Sequence, residues 1–323
     1  PLRMSPLIII STVLTHAFGG SAGREGAALQ LGGSLGGTIG KWLKLDEYDQ
    51  KVMIMCGMSA AFSALFGTPL TATIFAMEVV SIGIMEYAAL VPCAIASLIA
   101  REMADLVGAR AEQFPVPASV ALDIKSGALI VLLALLCAAV SILFCEVLHR
   151  TERLFKSRMK NPWIRVVVGA LLVIVLAKVL GTTDYLGAGM NIVERAIHGE
   201  TEPAAFLLKI IFTAITLSCG FKGGEIVPTL FVGATFGCLF GHLLGISPSL
   251  CAAVGMAALF CGVTNCPLAS MMIASELFGM AGAPYYLLAI AVSYLLSGYY
   301  GLYTEQKIMY SKVEPESINK NVH

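Results

Sequence analysis

Apolar segments follow one another along almost the whole chain, and half of them are interrupted by glycine or proline. The longer ones are residues 7–18 (continued through a Gly-rich break), 88–107, 126–147, 163–180, 206–218 and 285–296. The shorter, broken ones are 27–43, 52–66, 70–80, 229–244, 250–263 and 268–278. A helix needs about 20 residues to cross about 30 Å of hydrocarbon. Non-helical backbone is tolerated at that depth only where protein or a water-filled cavity covers it. Interrupted half-helices therefore point to a transporter or channel whose site lies inside the membrane. Composition excludes the soluble alternative. Only 13% of residues are charged, against about 25% in soluble domains, and mean hydropathy is +0.82.

The net charge is zero, which argues against nucleic acid as a partner. Nine cysteines stand singly in apolar runs with no paired spacing, so they read as small buried hydrophobes, with no metal site and no disulfide framework. One basic cluster, His149, Arg150, Arg153, Lys156, Arg158, Lys160 and Arg165, is expected on the cytoplasmic side. The polar tail after Tyr303 is expected there too. The chain begins at Pro1 within a few residues of an apolar run, and it is read as a fragment whose N-terminal part is missing.

The chain also repeats itself. Gly20-Ser-Ala-Gly23-Arg24-Glu25 aligns with Gly220-Phe-Lys-Gly223-Gly224-Glu225 at an offset of 200. Gly57-Met58-Ser-Ala60-Ala-Phe62 aligns with Gly255-Met256-Ala-Ala258-Leu-Phe260 at an offset of 198, which also pairs Pro69-Leu70 with Pro267-Leu268 and Glu78 with Glu276. Two such halves usually meet at a midplane site, often with inverted topology. Gly32, Gly33, Gly36, Gly37 and Gly40 suit a packing face. Gly23-Arg24-Glu25-Gly26 does not, because a charged pair between glycines at membrane depth points to function.

Each motif is a glycine-flanked turn opening a helix, whose free N–H groups and positive dipole end attract anions. Pro228 suits a first helical turn. Glu25 is itself an anion, able to occupy the permeant ion's place and to vacate it when protonated. Its structural alternative is a salt bridge with Arg24 or a distant lysine. Arg24 and Lys222 either steer anions or reach to the interface.

Gly23-Arg24-Glu25-Gly26-Ala27 resembles the GREGP signature of the CLC family of anion channels and transporters. Gly223-Gly224-Glu225-Ile226-Val227-Pro228 resembles its GxFxP signature. Gly67-Thr68-Pro69-Leu70, followed by Phe75 and Glu78, resembles its (N)APLAG…FxxE segment, and Tyr185-Leu-Gly187-Ala-Gly189 and Tyr303 fall in family order. The resemblance covers essentially the whole chain. It implies an all-α, polytopic inverted-repeat bundle with broken half-helices, assembled as a homodimer with one anion pathway per subunit. The organisation expected is a remainder of the first repeat (1–108), an inter-repeat loop (109–122), a second repeat (123–303) and a polar tail (304–323).

The resemblance further implies a multi-pass protein of the cell membrane, most simply a bacterial inner membrane. It matches the family's gating glutamate to Glu25, while Glu225, which aligns with Glu25 in the repeat, is expected beside the anion route as a second gating or proton-transfer residue. The resemblance implies anion contacts from the Ile226 and Val227 amides and the Tyr303 hydroxyl, and the turns at Gly23, Gly26 and Gly224 are expected to bring backbone amides to the same anion. No cofactor is implied, and the partners are an inorganic anion, protons and lipid. Three departures carry information. Glu225 replaces an apolar residue, Ala27 replaces a proline, and Val79 stands where chloride/proton exchangers carry an inner glutamate. Gly-Gly-Glu-Ile-Val-Pro and the missing inner glutamate together resemble the fluoride-exporting branch, although that branch typically has threonine at the position of Val227. Fluoride/proton antiport is the reading favoured, with a chloride channel or chloride/proton exchanger as its alternative. A membrane-embedded enzyme using Glu25 and Glu225 as acid and base would also need a nucleophile or metal set, and no HExxH is present.

Overall fold

The computed structural model describes residues 3–109, 113, 114, 116, 123–314 and 316–322. The first half comprises α1 (Met4–Ala17), α2 (Glu25–Trp42), α3 (Glu47–Phe66), α4 (Pro69–Glu78), a two-residue strand β1 (Ser81–Ile82) and α5 (Leu90–Leu106). The second comprises α6 (Ile124–Arg158), α7 (Pro162–Leu180), α8 (Met190–Ile197), α9 (Ala205–Ser218), α10 (Ile226–Leu244), α11 (Pro248–Thr264), α12 (Pro267–Phe278) and α13 (Ala283–Leu296), followed by β2 (Lys307–Tyr310) and β3 (Ser317–Asn321). The fold is helical, as expected. The inter-repeat loop expected at 109–122 lies mostly outside the described residues.

Local chemistry sets the helix starts. Asp123 and Ser126 form a capping box at the head of α6, the Asp123 carboxylate accepting from the Ser126 amide at 2.7 Å. Asp46 accepts from the Asp49 amide at 2.8 Å to start α3, and Asn161 accepts from the Trp163 amide at 2.9 Å beside Pro162 to start α7. Helix α11 is buried at every residue from Leu250 to Thr264, making it the central strut of the second half. Large apolar side chains on the outer helices are left uncovered, among them Leu171, Ile174, Val175 and Val179 of α7. Such a surface fits lipid and not water.

Two expectations about length are corrected. Of the longer stretches, 88–107, 126–147 and 163–180 become helices long and apolar enough to cross a membrane, and so does Ile226–Leu244, which was expected to be short. Stretches 7–18, 206–218 and 285–296 become 14-residue helices instead. Residues 182–203, between α7 and α9, contain the amphipathic α8. The tail is not a loose polar segment. Strand β2 pairs parallel with β1 and antiparallel with β3, burying Ile82, Ile308 and Val322 together, while Gln306 donates to the carbonyls of Val79 (2.8 Å) and Thr264 (3.0 Å).

The repeat is present, but its first register shifts by one residue. Helices α1 and α2 correspond to α9 and α10 at an offset of 201, and α3 and α4 to α11 and α12 at 198. Close crossings fix this. A Cβ on Gly32 would strike the Gly57 carbonyl, and one on Gly233 the Gly255 carbonyl, so Gly32 matches Gly233. Glu25 therefore corresponds to Ile226, and Glu225 to Arg24. The second register stands. Glu78 accepts from the amides of Leu268 (3.1 Å) and Ala269 (2.8 Å) at the head of α12, while Glu276 accepts from Leu70 (2.9 Å) and Thr71 (2.8 Å) at the head of α4. Each repeat caps a helix of the other.

Candidate functional site

The two glycine turns meet back to back. Gly23 and Gly224 exchange both main-chain hydrogen bonds, at 2.8 and 2.7 Å, in an isolated antiparallel bridge between the repeats. Each turn then enters its helix through a residue of matching conformation, Arg24 (φ −104°, ψ −14°) before α2 and Glu225 (φ −103°, ψ −17°) before α10. Neither of these residues caps its helix with its own side chain. The first amides are thus free for another acceptor.

At α10 that acceptor is Glu25. Its side chain is fully buried, and one carboxylate oxygen accepts from the Val227 amide at 2.9 Å. The amides of Arg24, Glu25 and Ile226 also act on the carboxylate. The other oxygen is buried without a hydrogen-bond partner. Among the described residues Glu25 forms no salt bridge with Arg24 or a distant lysine, the structural alternative raised for it; Arg24 is exposed. Gly23 and Gly224 create the space, because a Cβ on either would overlap the Glu25 carboxylate, and Gly26 packs directly on the Cα of Gly224. The structure therefore gathers Gly23, Glu25, Gly26, Gly224, Ile226 and Val227 at one point between two helix N-termini.

Glu225 is half-buried and directly follows Gly224 of the bridge, interacting electrostatically with both Glu25 and Glu152. It is not the symmetry mate of Glu25, since that place belongs to Ile226. Tyr303 is half-buried and within electrostatic reach of Glu225 and Glu25. Its neighbours Tyr300 and Thr304 line an open basin of about 1000 Å³, whose wall includes His149, Arg150 and Arg153 from the basic cluster. Lys222 is exposed. Eight of the nine cysteines are buried and all are unpaired, and among the described residues no three His, Cys, Asp or Glu side chains cluster as a metal site would.

One buried charge escaped the sequence reading. Lys209, in the apolar helix α9, is fully buried and donates to the carbonyls of Tyr185 (3.3 Å) and Gly187 (2.8 Å). A single ionisable residue inside an apolar run was the available signal.

Known proteins share this fold. The family model for voltage gated chloride channels matches residues 1–298. A chloride/fluoride channel protein of Pseudomonas syringae pv. tomato is 35% identical over 318 residues, spanning 97% of this chain and 70% of that protein. A voltage-gated ClC-type chloride channel of Escherichia coli is 28% identical over 286 residues, spanning 84% of this chain and 66% of that one. The crystal structure of a CLC-type fluoride/proton antiporter superposes with a TM-score of 0.92 at 35% identity, over 95% of this chain and 78% of that one. A slow cyanobacterial Cl−/H+ antiporter superposes with a TM-score of 0.78 at 18% identity, over 91% and 72%, a likeness of fold alone. Paired glycine turns, a glutamate seated across them, and a match running through nearly the whole bundle lead to one assignment: the chain belongs to the voltage-gated chloride channel family, CLC, and is a membrane protein.

Proposed function

We propose that the protein exchanges fluoride for protons across a bacterial inner membrane, with Glu25 as the gate. One observation carries this reading. The Glu25 carboxylate occupies the α10 N-terminus with one oxygen on the Val227 amide and the other unpartnered, which is the seat an inorganic anion would take. Proton binding neutralises the carboxylate and weakens its hold on the helix end, so the anion enters as the proton arrives. The two movements are linked through one site.

The choice of fluoride draws support from the relatives of similar identity, named as a chloride/fluoride channel protein and a fluoride/proton antiporter. It also fits the site. Fluoride is small and strongly hydrated, so it requires compact donors at close range, and turns built from Gly23, Gly26 and Gly224 bring backbone amides near. Val227 provides no hydroxyl, so the inward proton steps fall to Glu225, beside Tyr303 and the basic basin. Assembly is as a homodimer through uncovered apolar side chains of α4, α5, α12 and α13, including Leu70, Val91, Ile95, Leu98, Leu268 and Leu287.

Glu25→Gln tests the gate in liposomes holding the full-length protein, with fluoride and proton movements recorded together. Wild type should move fluoride faster than chloride and take up protons as it does so. The glutamine oxygen can keep the Val227 bond, but a neutral bond contributes about 1 kcal/mol less than a charge-assisted one. Fluoride flux should persist while coupled proton uptake disappears. Proton uptake still tied to fluoride in E25Q would overturn the gate. Chloride flux equal to fluoride flux would transfer the reading to chloride.

A further inference from the structure

Lys209 is a buried cation held by main-chain groups. Among the described residues it takes part in no ion pair, and its two hydrogen bonds run to main-chain carbonyls. Burying an ammonium that way at membrane depth is costly unless a further negative charge offsets it.

Its surroundings point to the anion seat. The ammonium lies 5.0 Å from the centroid of the Phe231 ring. Phe231 follows Val227 by four residues, so the two share a face of α10 and stand about 6 Å apart along its axis. On α9, Thr213 and Thr216 share the face of Lys209. Both bind Ser21, which opens the Glu25 turn. The Thr213 and Ser21 hydroxyls are 3.1 Å apart, and the Ser21 amide donates to the Thr216 hydroxyl at 3.1 Å. The ammonium and the Glu25 carboxylate interact electrostatically.

The repeat supplies an internal comparison. At the offset of 201, Thr213 and Thr216 correspond to Thr12 and Thr15, while Lys209 corresponds to Ile8. The small polar face is kept in both halves. The charge is added only in the half whose helix N-terminus receives Glu25.

We propose that Lys209 is a fixed cation of the anion pathway, tied to the backbone of the Tyr185–Gly187 segment and lending its charge to whichever anion, the Glu25 carboxylate or the transported halide, sits at the α10 N-terminus. It is a positioning residue, and the inference rests on the transport reading because it names what offsets the charge. In wild type the carboxylate and the halide would both lose from its removal, so the comparison belongs in Glu25→Gln, where no carboxylate competes.

Lys209→Gln keeps two donors for the two carbonyls and removes the charge, whereas Lys209→Arg keeps the charge. Fluoride binding to full-length protein in mild detergent is measured by calorimetry, alongside the apparent KM and maximal rate of fluoride flux in liposomes. Relative to E25Q, K209Q/E25Q should bind fluoride about tenfold more weakly, the low end of what a neighbouring charge does to an ionic equilibrium. Its apparent KM should rise by a similar factor with less change in maximal rate. K209R/E25Q should stay within about threefold of E25Q, because the nearby charge is retained. Unchanged binding in K209Q/E25Q, or K209R as weak as K209Q, overturns the role of the charge. A K209Q protein that aggregates while K209R remains intact and binds as E25Q still assigns the role to the charge. An E25Q parent that binds no fluoride overturns the transport reading itself.

Discussion

Glu276→Ala should destabilise the protein more than any other single change at the seam between α4 and α12. Thr68 before α4 makes no side-chain cap, so the first amides of that helix depend on a carboxylate from the other repeat. Glu276 accepts from the Leu70 amide at 2.9 Å, the Thr71 amide at 2.8 Å and the Thr71 hydroxyl at 2.6 Å. Bonds to a charged acceptor contribute about 1.5–3 kcal/mol each. The hydroxyl can turn elsewhere, so the two amides set the expected loss at about 3–6 kcal/mol. Leu70 faces outward among apolar residues, where water is not available to replace the acceptor. For a chain of this size each kcal/mol lowers the thermal midpoint by about 2 °C, giving a fall of about 6–12 °C.

Thermal unfolding of the detergent-solubilised protein, followed by circular dichroism at one scan rate, measures this. Glu78→Ala removes only two acceptor bonds, one of them at 3.1 Å, and should cost less. Thr71→Val combined with Glu276→Ala should cost less than the sum of the two, since both delete the same hydroxyl–carboxylate bond. A midpoint within about 2 °C of wild type for E276A, well under the fall that size scaling implies, would refute the cap. Equal losses in E276A and E78A would refute the weight given to bond length, since Glu78 holds the Leu268 amide only at 3.1 Å.

Gly224→Ala places a methyl group where the Glu25 carboxylate sits, so it should expel the gate and leave fluoride flux with proton uptake largely uncoupled; flux and coupling both equal to wild type would contradict the packing described. The uncovered apolar side chains of α4, α5, α12 and α13 should hold two subunits together, and mass measurement of full-length protein in mild detergent should give a dimer, with monomer alone counting against it.

How much of this was open to reading from residues alone differs from one feature to the next. Glycine-flanked charge at membrane depth marked Glu25, because neither packing nor solvation explains an acid there. The partner of Glu25 was misread by one residue. Matching by residue type rewards the shared glutamates at 25 and 225, whereas the fold matches backbone: the Gly23–Gly224 bridge and the equal dihedrals of Arg24 and Glu225 set the register. Glu78 and Glu276 were legible as a pair but not as exchanged caps, since their partners lie 190 to 206 residues away. Lys209 vanished into an apolar average, its partners being carbonyls that carry no residue signature.

The same exchange of caps says why the proposed anion seat lies between the repeats. A helix N-terminus in a bilayer cannot leave its amides to water, so each must find an acceptor inside the protein. In this fold α4, α10 and α12 all find theirs on the opposite repeat, in Glu276, Glu25 and Glu78. Two of these carboxylates are fixed by at least two amide bonds each. Glu25 accepts from the Val227 amide through one oxygen only, with its second oxygen unpartnered among the described residues and a lysine in electrostatic reach. Three caps of one design thus differ in how their oxygens are satisfied, and the one that keeps an unpartnered oxygen is the one we propose an anion replaces.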